Sequence, residues 1–198
     1  MVLHDLLKSY NVILASDSPR RKQLLKEMGV QFSIAVSDIE EVYPAHLPAS
    51  EVAAYISKIK ADSFKSNILK DNDIIITADT VVALDGKIIP KPYNIAEAKK
   101  FLQKLSNKMH IVYTGITIKS KNKEKTFYEA TKVYFKKFTK EEIDYYITKY
   151  KPLDKAGAYG IQEWIGYIGV EHIEGSFFNV IGLPTAKLYD ELVEFVNL

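Results

Sequence analysis

The chain has no cysteine. Disulfides, thiolate metal sites and thiol nucleophiles are therefore excluded, and the absence fits a reducing compartment. Charge excess is almost missing too: 27 basic against 25 acidic side chains leave a formal net charge of +2. That balance gives no support to a bulk electrostatic grip on nucleic acid or anionic membrane, although it is compatible with a local basic pocket. No apolar run approaches the roughly 20 residues needed to span a bilayer. Residues 1–15 carry His4, Asp5 and Lys8 among their apolar positions and lack the apolar core and basic flank of an export signal. Internal repeats and low-complexity linkers are absent, and no second histidine stands at metal spacing from His110. The expectation is a soluble cytoplasmic chain folded as a single domain over residues 1–198.

What is present is organised around residues 74–84, Ile-Ile-Ile-Thr-Ala-Asp-Thr-Val-Val-Ala-Leu. The β-branched apolar run predicts a buried strand with one carboxylate, Asp79, at its middle. A carboxylate in apolar surroundings costs several kcal/mol or more unless a cation, metal or hydrogen bonds compensate it. Two readings stand: a functional site, or a buried Asp satisfied by backbone amides.

Taken in order, residues 11–15 read as a short buried strand. Ser18 then Pro19 is a helix start, a hydroxyl cap followed by proline at the first helical position. Arg20, Arg21 and Lys22 crowd that first turn, where the helix dipole is already positive. An anion bound there would relieve the conflict; the alternative is a solvated basic turn. Residues 31–36 look like a strand. The acidic stretch Ser37-Asp38-Ile39-Glu40-Glu41 is either a divalent-cation site or a solvated loop. Ser50 is expected to cap a helix with Val52, Ala53, Ile56, Ile59 and Phe64 inward, and nothing local singles out its Lys60.

Asp85-Gly86 predicts a two-residue hairpin turn, which returns residues 87–89 antiparallel and brings Lys91, between two prolines, back towards Asp79. Lys91 then pairs with a carboxylate or phosphate, or is simply a loop lysine. Asn94 caps a helix to Ser106 with Ile95 among its inward residues. Residues 110–119 and 126–138 form a long hairpin, with His110 as a strand-end polar residue. Thr139 and Glu142 form a capping box. Residues 151–175 read as a glycine-rich irregular region in which Tyr159, Trp164 and Tyr167 could flank a base and Gln162 could read its edge. A last strand region is expected over 172–181 and a last helix from Pro184.

Set side by side, these segments resemble the Maf family of nucleotide pyrophosphatases. The likeness is carried by Leu14-Ala15-Ser16-Asp17-Ser18-Pro19-Arg20-Arg21, Ala78-Asp79-Thr80-Val81-Val82, Lys91-Pro92, Leu105-Ser106 and His110-Ile111-Val112-Tyr113-Thr114-Gly115. It continues through Asp154-Lys155-Ala156-Gly157-Ala158-Tyr159-Gly160-Ile161-Gln162 and Gly182-Leu183-Pro184. The set is in family order over nearly the whole chain, with Asn107 standing where the family usually has glycine. The resemblance implies an elongated, two-lobed α/β fold on a central curved mixed sheet with flanking helices and an active-site cleft between the lobes. It implies cytoplasmic hydrolysis of a nucleoside triphosphate to the monophosphate and pyrophosphate with a divalent cation, Mg²⁺ or Mn²⁺ and also Co²⁺, and it suggests a homodimer.

By motif position the resemblance makes Asp79 the catalytic acidic residue, as general base, metal ligand or both. Ser16, Arg20, Arg21, Lys60 and Lys91 become phosphate-cleft residues, and Glu41 an acidic residue near the metal, with Glu40 as the register alternative. Arg20, Thr80 and Gln162 match the branch acting on dTTP and UTP rather than the one acting on 7-methyl-GTP, with Thr80 and Gln162 reading the pyrimidine. The rival readings are the same reaction on another or modified nucleotide, and a nucleotide-sensing regulator of cell division without turnover. Neither a membrane nor a nucleic acid is expected as a partner.

Overall fold

The β-branched run around Asp79 becomes a twelve-residue strand, Asp73–Leu84, buried at all but one position. The computed structural model describes residues 2–36 and 39–197. In chain order its elements are α1 (Leu3–Leu6), β1 (Asn11–Leu14), α2 (Pro19–Glu27), β2 (Ser33–Ile34), α3 (Ala49–Asp62), β3 (Asp73–Leu84), β4 (Lys87–Ile89) and α4 (Ile95–Leu105). The series continues with β5 (Met109–Lys119), β6 (Glu124–Phe135), α5 (Lys140–Tyr150), α6 (Trp164–Gly169), β7 (Val170–Glu174), α7 (Phe177–Ile181) and α8 (Thr185–Asn197).

The strands form one mixed sheet in the order β2-β1-β3-β5-β6-β7, with β4 also paired to β3. β1 runs parallel to β2 and β3, and every other pairing is antiparallel. One half of β3 contributes Ile74, Ile76 and Ala78 to a core with β1, α2 and α8. The other half contributes Val82 and Leu84 to a second core with α4, α5 and α6. The expected mixed α/β architecture with flanking helices is therefore present, with two main cores along one central strand. Among the described residues no helix is long and apolar enough to cross a membrane.

Local chemistry explains most boundaries. Asp85 and Gly86 both take positive φ, 50° and 76°, as a two-residue hairpin between right-twisted strands requires. Asn94 accepts from the Glu97 amide, and Thr139 and Glu142 form the full capping box. Several expectations need correction. Residues 31–36 yield only the two-residue exposed edge strand β2, which has no packed face to extend it. Ser50 is not a cap: extended Pro48 makes the turn into α3, which starts at Ala49. Ile95 is exposed at the start of α4 rather than inward. Within 151–175 lie α6 and β7, because Gly169 lets α6 meet the Phe138 ring at a distance no Cβ would allow. The region 172–181 is strand only to Glu174; Ser176 then accepts from the Asn179 amide and starts α7.

His110 stands one residue inside the start of β5, as expected, but it is buried. It is 1% exposed, its Nε2 lies 2.7 Å from the Tyr159 hydroxyl, and it packs against Phe135. Burial pushes its pKa down to about 3. Above pH 6.5 the imidazole is neutral folded and unfolded, so its full contribution is present there. As pH falls towards 3 the unfolded chain binds a proton that the folded chain refuses, and stability is lost. Between pH 7 and 5 the parent should lose about 2 kcal/mol more than His110→Gln in urea unfolding. Equal losses would show that His110 protonates in place.

Candidate active site

β5 pairs with residues 75–83 along one edge of β3. On the other edge β1 pairs with residues 73–76 and β4 with residues 82–84. Among the described residues no strand pairs with residues 77–81 on that edge, so the sheet is notched beside Asp79. Such an opening lies at the carboxyl end of a parallel strand, where open α/β sheets bind ligands. Successive side chains of β3 point to opposite faces. Asp79 falls on the face covered by α3, with Thr77, whose hydroxyl donates to the Ser57 carbonyl. Thr80 falls on the opposite face, beside α2 and α7.

From the first face, Lys60 reaches Asp79. Its Nζ is 2.8 Å from Asp79 Oδ1 and 2.6 Å from Glu41 Oε1. Asp79 is 7% exposed, so this ammonium is the compensation that the strand sequence demanded. α3 comes close enough because Gly115 of β5, paired with Asp79, has no side chain: a Cβ there would stand 2.2 Å from the backbone of Ala53 and Ala54. Lys60 lies two helical turns beyond Ala53 on the same face. Lys91 returns through the β3–β4 hairpin to 3.9 Å from Glu41 Oε2. Burial is the largest influence on the Glu41 carboxyl and works upward. The Lys60 hydrogen bond and the charges of Lys60, Lys91 and Arg21 outweigh it and hold the pKa below the usual value.

From the other face, the first turn of α2 delivers the arginines. Ser18 caps it by accepting from the Arg21 amide. Arg21 turns inward: Nε donates to the Gly182 carbonyl at 2.9 Å, one terminal nitrogen to Thr80 Oγ1 at 3.1 Å and the other to Ser16 Oγ at 3.4 Å. Burial lowers its pKa, and the charge of Asp79 works against that. Arg20 instead crosses to Asp154 at 2.8 Å, and Lys22 pairs outward with Asp17 at 3.4 Å. The basic first turn is thus divided between the cleft and its rim rather than left to solvent.

These groups line one cleft of about 410 Å³. Ser16, Arg20, Arg21, Glu41, Lys60, Asp79, Thr80, Lys91 and Gln162, each expected from sequence, are all on its wall. Gln162 carries a buried Oε1 with no hydrogen-bond partner among the described residues. Of the aromatic trio only Tyr159 lines the cleft; Trp164 packs edge-on to Tyr145, and Tyr167 is 82% exposed elsewhere. Ser37 and Asp38 of the acidic stretch lie outside the described residues.

Sequence reasoning missed Asp154 and Lys155, which also line the wall. Burial pushes the Asp154 carboxyl up, but hydrogen bonds from Lys155 and Arg20, with their charges, prevail and pull its pKa down to about 2. An Asp-Lys pair beside a glycine-rich turn was the available signal. Among the described residues no three His, Cys, Asp or Glu gather as a self-sufficient metal site. Asp79 and Glu41 remain as a two-carboxylate set sharing one lysine.

The fold and the cleft define a mixed α/β protein in which cations from both sheet faces converge on a buried strand carboxylate. The chain belongs to the Maf family: the family described as Maf-like protein matches residues 11–195. Among curated relatives, the dTTP/UTP pyrophosphatase of Cytophaga hutchinsonii is 49% identical over 191 residues, 96% of this chain and 87% of that one. The protein of the same name from Bacteroides thetaiotaomicron is 49% identical over 94% of this chain and 96% of its own. That of Christiangramia forsetii is 45% identical over 99% and 100%. The solved Ham1 protein of Staphylococcus aureus covers 63% of this chain and 71% of its own at 16% identity and a TM-score of 0.44, too loose a likeness to bear on the site.

Gly115→Ala would drive a methyl into the α3 backbone and is expected to cost about 1–3 kcal/mol in urea unfolding. A crystal structure of the variant should show Lys60 Nζ drawn away from Asp79. Parent-like stability with Lys60 in place would disprove the close approach.

Proposed function

We propose that this chain hydrolyses dTTP and UTP to the nucleoside monophosphate and pyrophosphate. The observation that carries the reading is the meeting of Arg21 and Lys60, from opposite faces of the sheet, at the notch beside Asp79. The names of relatives 45–49% identical over nearly the whole chain supply the substrate.

Cleaving a phosphoanhydride requires neutralised phosphate oxygens and a water placed in line. Arg20, Arg21, Lys60 and Lys91 supply the positive charge. Ser16, which already accepts from Arg21, sits at the helix start where phosphate oxygens are favoured. Asp79 orients the attacking water and accepts its proton, and pyrophosphate departs towards the cations. Mg²⁺ or Mn²⁺ fits the donor set, since such ions are held by one or two carboxylates together with substrate phosphate oxygens. Asp79 and Glu41 would be its protein ligands, and when bound it would neutralise charge on the phosphate oxygens. The base falls to Gln162: its unpartnered Oε1 suits the ring N–H that thymine and uracil present and cytosine lacks.

The test is a panel of nucleoside triphosphates with pyrophosphate detection, in Mg²⁺, Mn²⁺ and Co²⁺. dTTP and UTP should lead dCTP, and Gln162→Ala should narrow that lead by about tenfold. Asp79→Asn should abolish turnover while still binding nucleotide by calorimetry. Parent-like pyrophosphate release by Asp79→Asn would remove the assignment. No turnover of any nucleotide by the parent would leave a binding role instead.

A further inference from the structure

Arg21 differs from the other cleft cations in its partners. Lys60 and Arg20 are held by carboxylates, whereas the three Arg21 contacts are a carbonyl and two hydroxyls. A guanidinium held by neutral acceptors keeps its charge unspent for a ligand. Those acceptors must themselves be fixed, and the fixing lies behind the cleft wall.

Thr80 and Thr114 are register partners on β3 and β5, and their hydroxyl oxygens are 2.9 Å apart. Thr114, fully buried, donates to the Asn179 carbonyl at 2.9 Å. A threonine has one hydroxyl hydrogen. With that of Thr114 committed to a carbonyl, Thr80 must be the donor between the two hydroxyls. The Thr80 hydrogen is therefore spent away from the cleft, and one of its lone pairs receives the Arg21 N–H. Nothing of Thr80 remains to donate to a pyrimidine carbonyl.

Asn179 anchors the other end. Its side-chain nitrogen donates to the Val112 carbonyl at 3.0 Å and to Thr131 Oγ1 at 2.9 Å. Thr131 in turn bonds both the carbonyl and the amide of Ser176, the cap of α7. This pins α7 against β5 and β6, and α7 ends at Gly182, whose carbonyl takes Arg21 Nε. Two of the three Arg21 contacts therefore trace back to Asn179 and Thr114, neither of which is on the cleft wall.

We propose that Thr114 and Asn179 are positioning residues for Arg21, acting through the Thr80 hydroxyl and the Gly182 carbonyl, so that the Thr80 hydroxyl hydrogen serves this relay rather than the base. This rests on the pyrophosphatase reading above.

The experiment is steady-state pyrophosphate release from dTTP, UTP and dCTP by the full chain, with product inhibition by pyrophosphate. Thr114→Val should lower kcat/KM about tenfold on dTTP and UTP alike, the worth of one hydrogen bond to a charged group. It should weaken inhibition by pyrophosphate, which has no base, and leave the dTTP to dCTP ratio unchanged. Thr114→Ser should recover most of the loss. Thr80→Val should fall by the same factor, and the double variant no further, because both changes break one relay. A shifted base ratio in Thr80→Val, parent-like kinetics in Thr114→Val, or a Thr114→Ser variant as impaired as Thr114→Val would each overturn the proposal. Should Thr114→Val not fold, Thr80→Val and Thr80→Ser decide it by the same base-ratio criterion. Should the parent turn over nothing, the pyrophosphatase reading fails on its own. Calorimetric binding of inorganic pyrophosphate then decides the relay: weaker in Thr114→Val supports it, and unchanged overturns it.

Discussion

One ammonium, that of Lys60, stands between two carboxylates, and the arrangement of the sheet around it follows from that contact. Asp79 sits in a strand that is buried at all but one position, where an uncompensated charge would cost roughly 3–5 kcal/mol. β3 offers it no cation. α3 must bring one, and a helix packed at ordinary distance would stop short. Gly115 removes the obstruction directly across from Asp79, and the Ala53–Ala54 backbone fills the space. Ser57 then ties the helix to Thr117 at 3.0 Å and receives Thr77 through its carbonyl, so the approach is fixed by polar contacts as well as packing. The residue types here are dictated jointly; a larger side chain at 115 would leave the carboxylate at 79 without its lysine.

The notch gives this pair its consequence. In an unbroken sheet Asp79 and Thr80, pointing oppositely, would serve separate environments. Because β1 leaves β3 at residue 76 and β4 joins it only at residue 82, both faces open into the same cleft. Arg21 from one side and Lys60 from the other can then act on one ligand. The two hydrophobic cores on either side of the notch hold its walls independently: α2 belongs with the first, and the segment bearing Tyr159 and Ile161 with the second. The Arg20–Asp154 pair bridges the two across the opening.

The sequence made the walls of this cleft legible but not the reason they meet. Ser18-Pro19, Asp85-Gly86 and the Thr139–Glu142 box each encode a boundary in local chemistry, and those boundaries appear where they were expected. Asp79 was legible because a carboxylate in such a strand contradicts its surroundings. Lys60 was reached only through the family resemblance: on its helix it is one lysine among several, and its physical meaning lies in a tertiary contact. Asp154 and Lys155 were hidden for the same reason. The error over 172–181 is instructive. Isoleucine, valine and phenylalanine there suggest strand, yet Ser176 and Asn179 supply a helix start, and the side chain of Asn179 is worth more to the fold as a buried anchor than the segment's β propensity. Edge strand β2 shows the converse, since weak alternation without a packed face yields little strand.

The charges on the cleft wall are close to balance. Arg20, Arg21, Lys60, Lys91 and Lys155 share the cleft with Asp17, Glu41, Asp79 and Asp154. Nearly every cation but Arg21 is thus matched within the wall, which keeps the cleft preorganised and close to neutral. A triphosphate brings several negative charges into that setting. It can capture Arg20 from Asp154 at modest cost, because Asp154 is largely exposed and water takes over its solvation. It cannot as readily capture Lys60, whose partner Asp79 is buried and would be stranded. The Lys60 charge therefore stays committed to Asp79 and Glu41 while the phosphates arrive, and the wall alone cannot neutralise carboxylates and phosphates together.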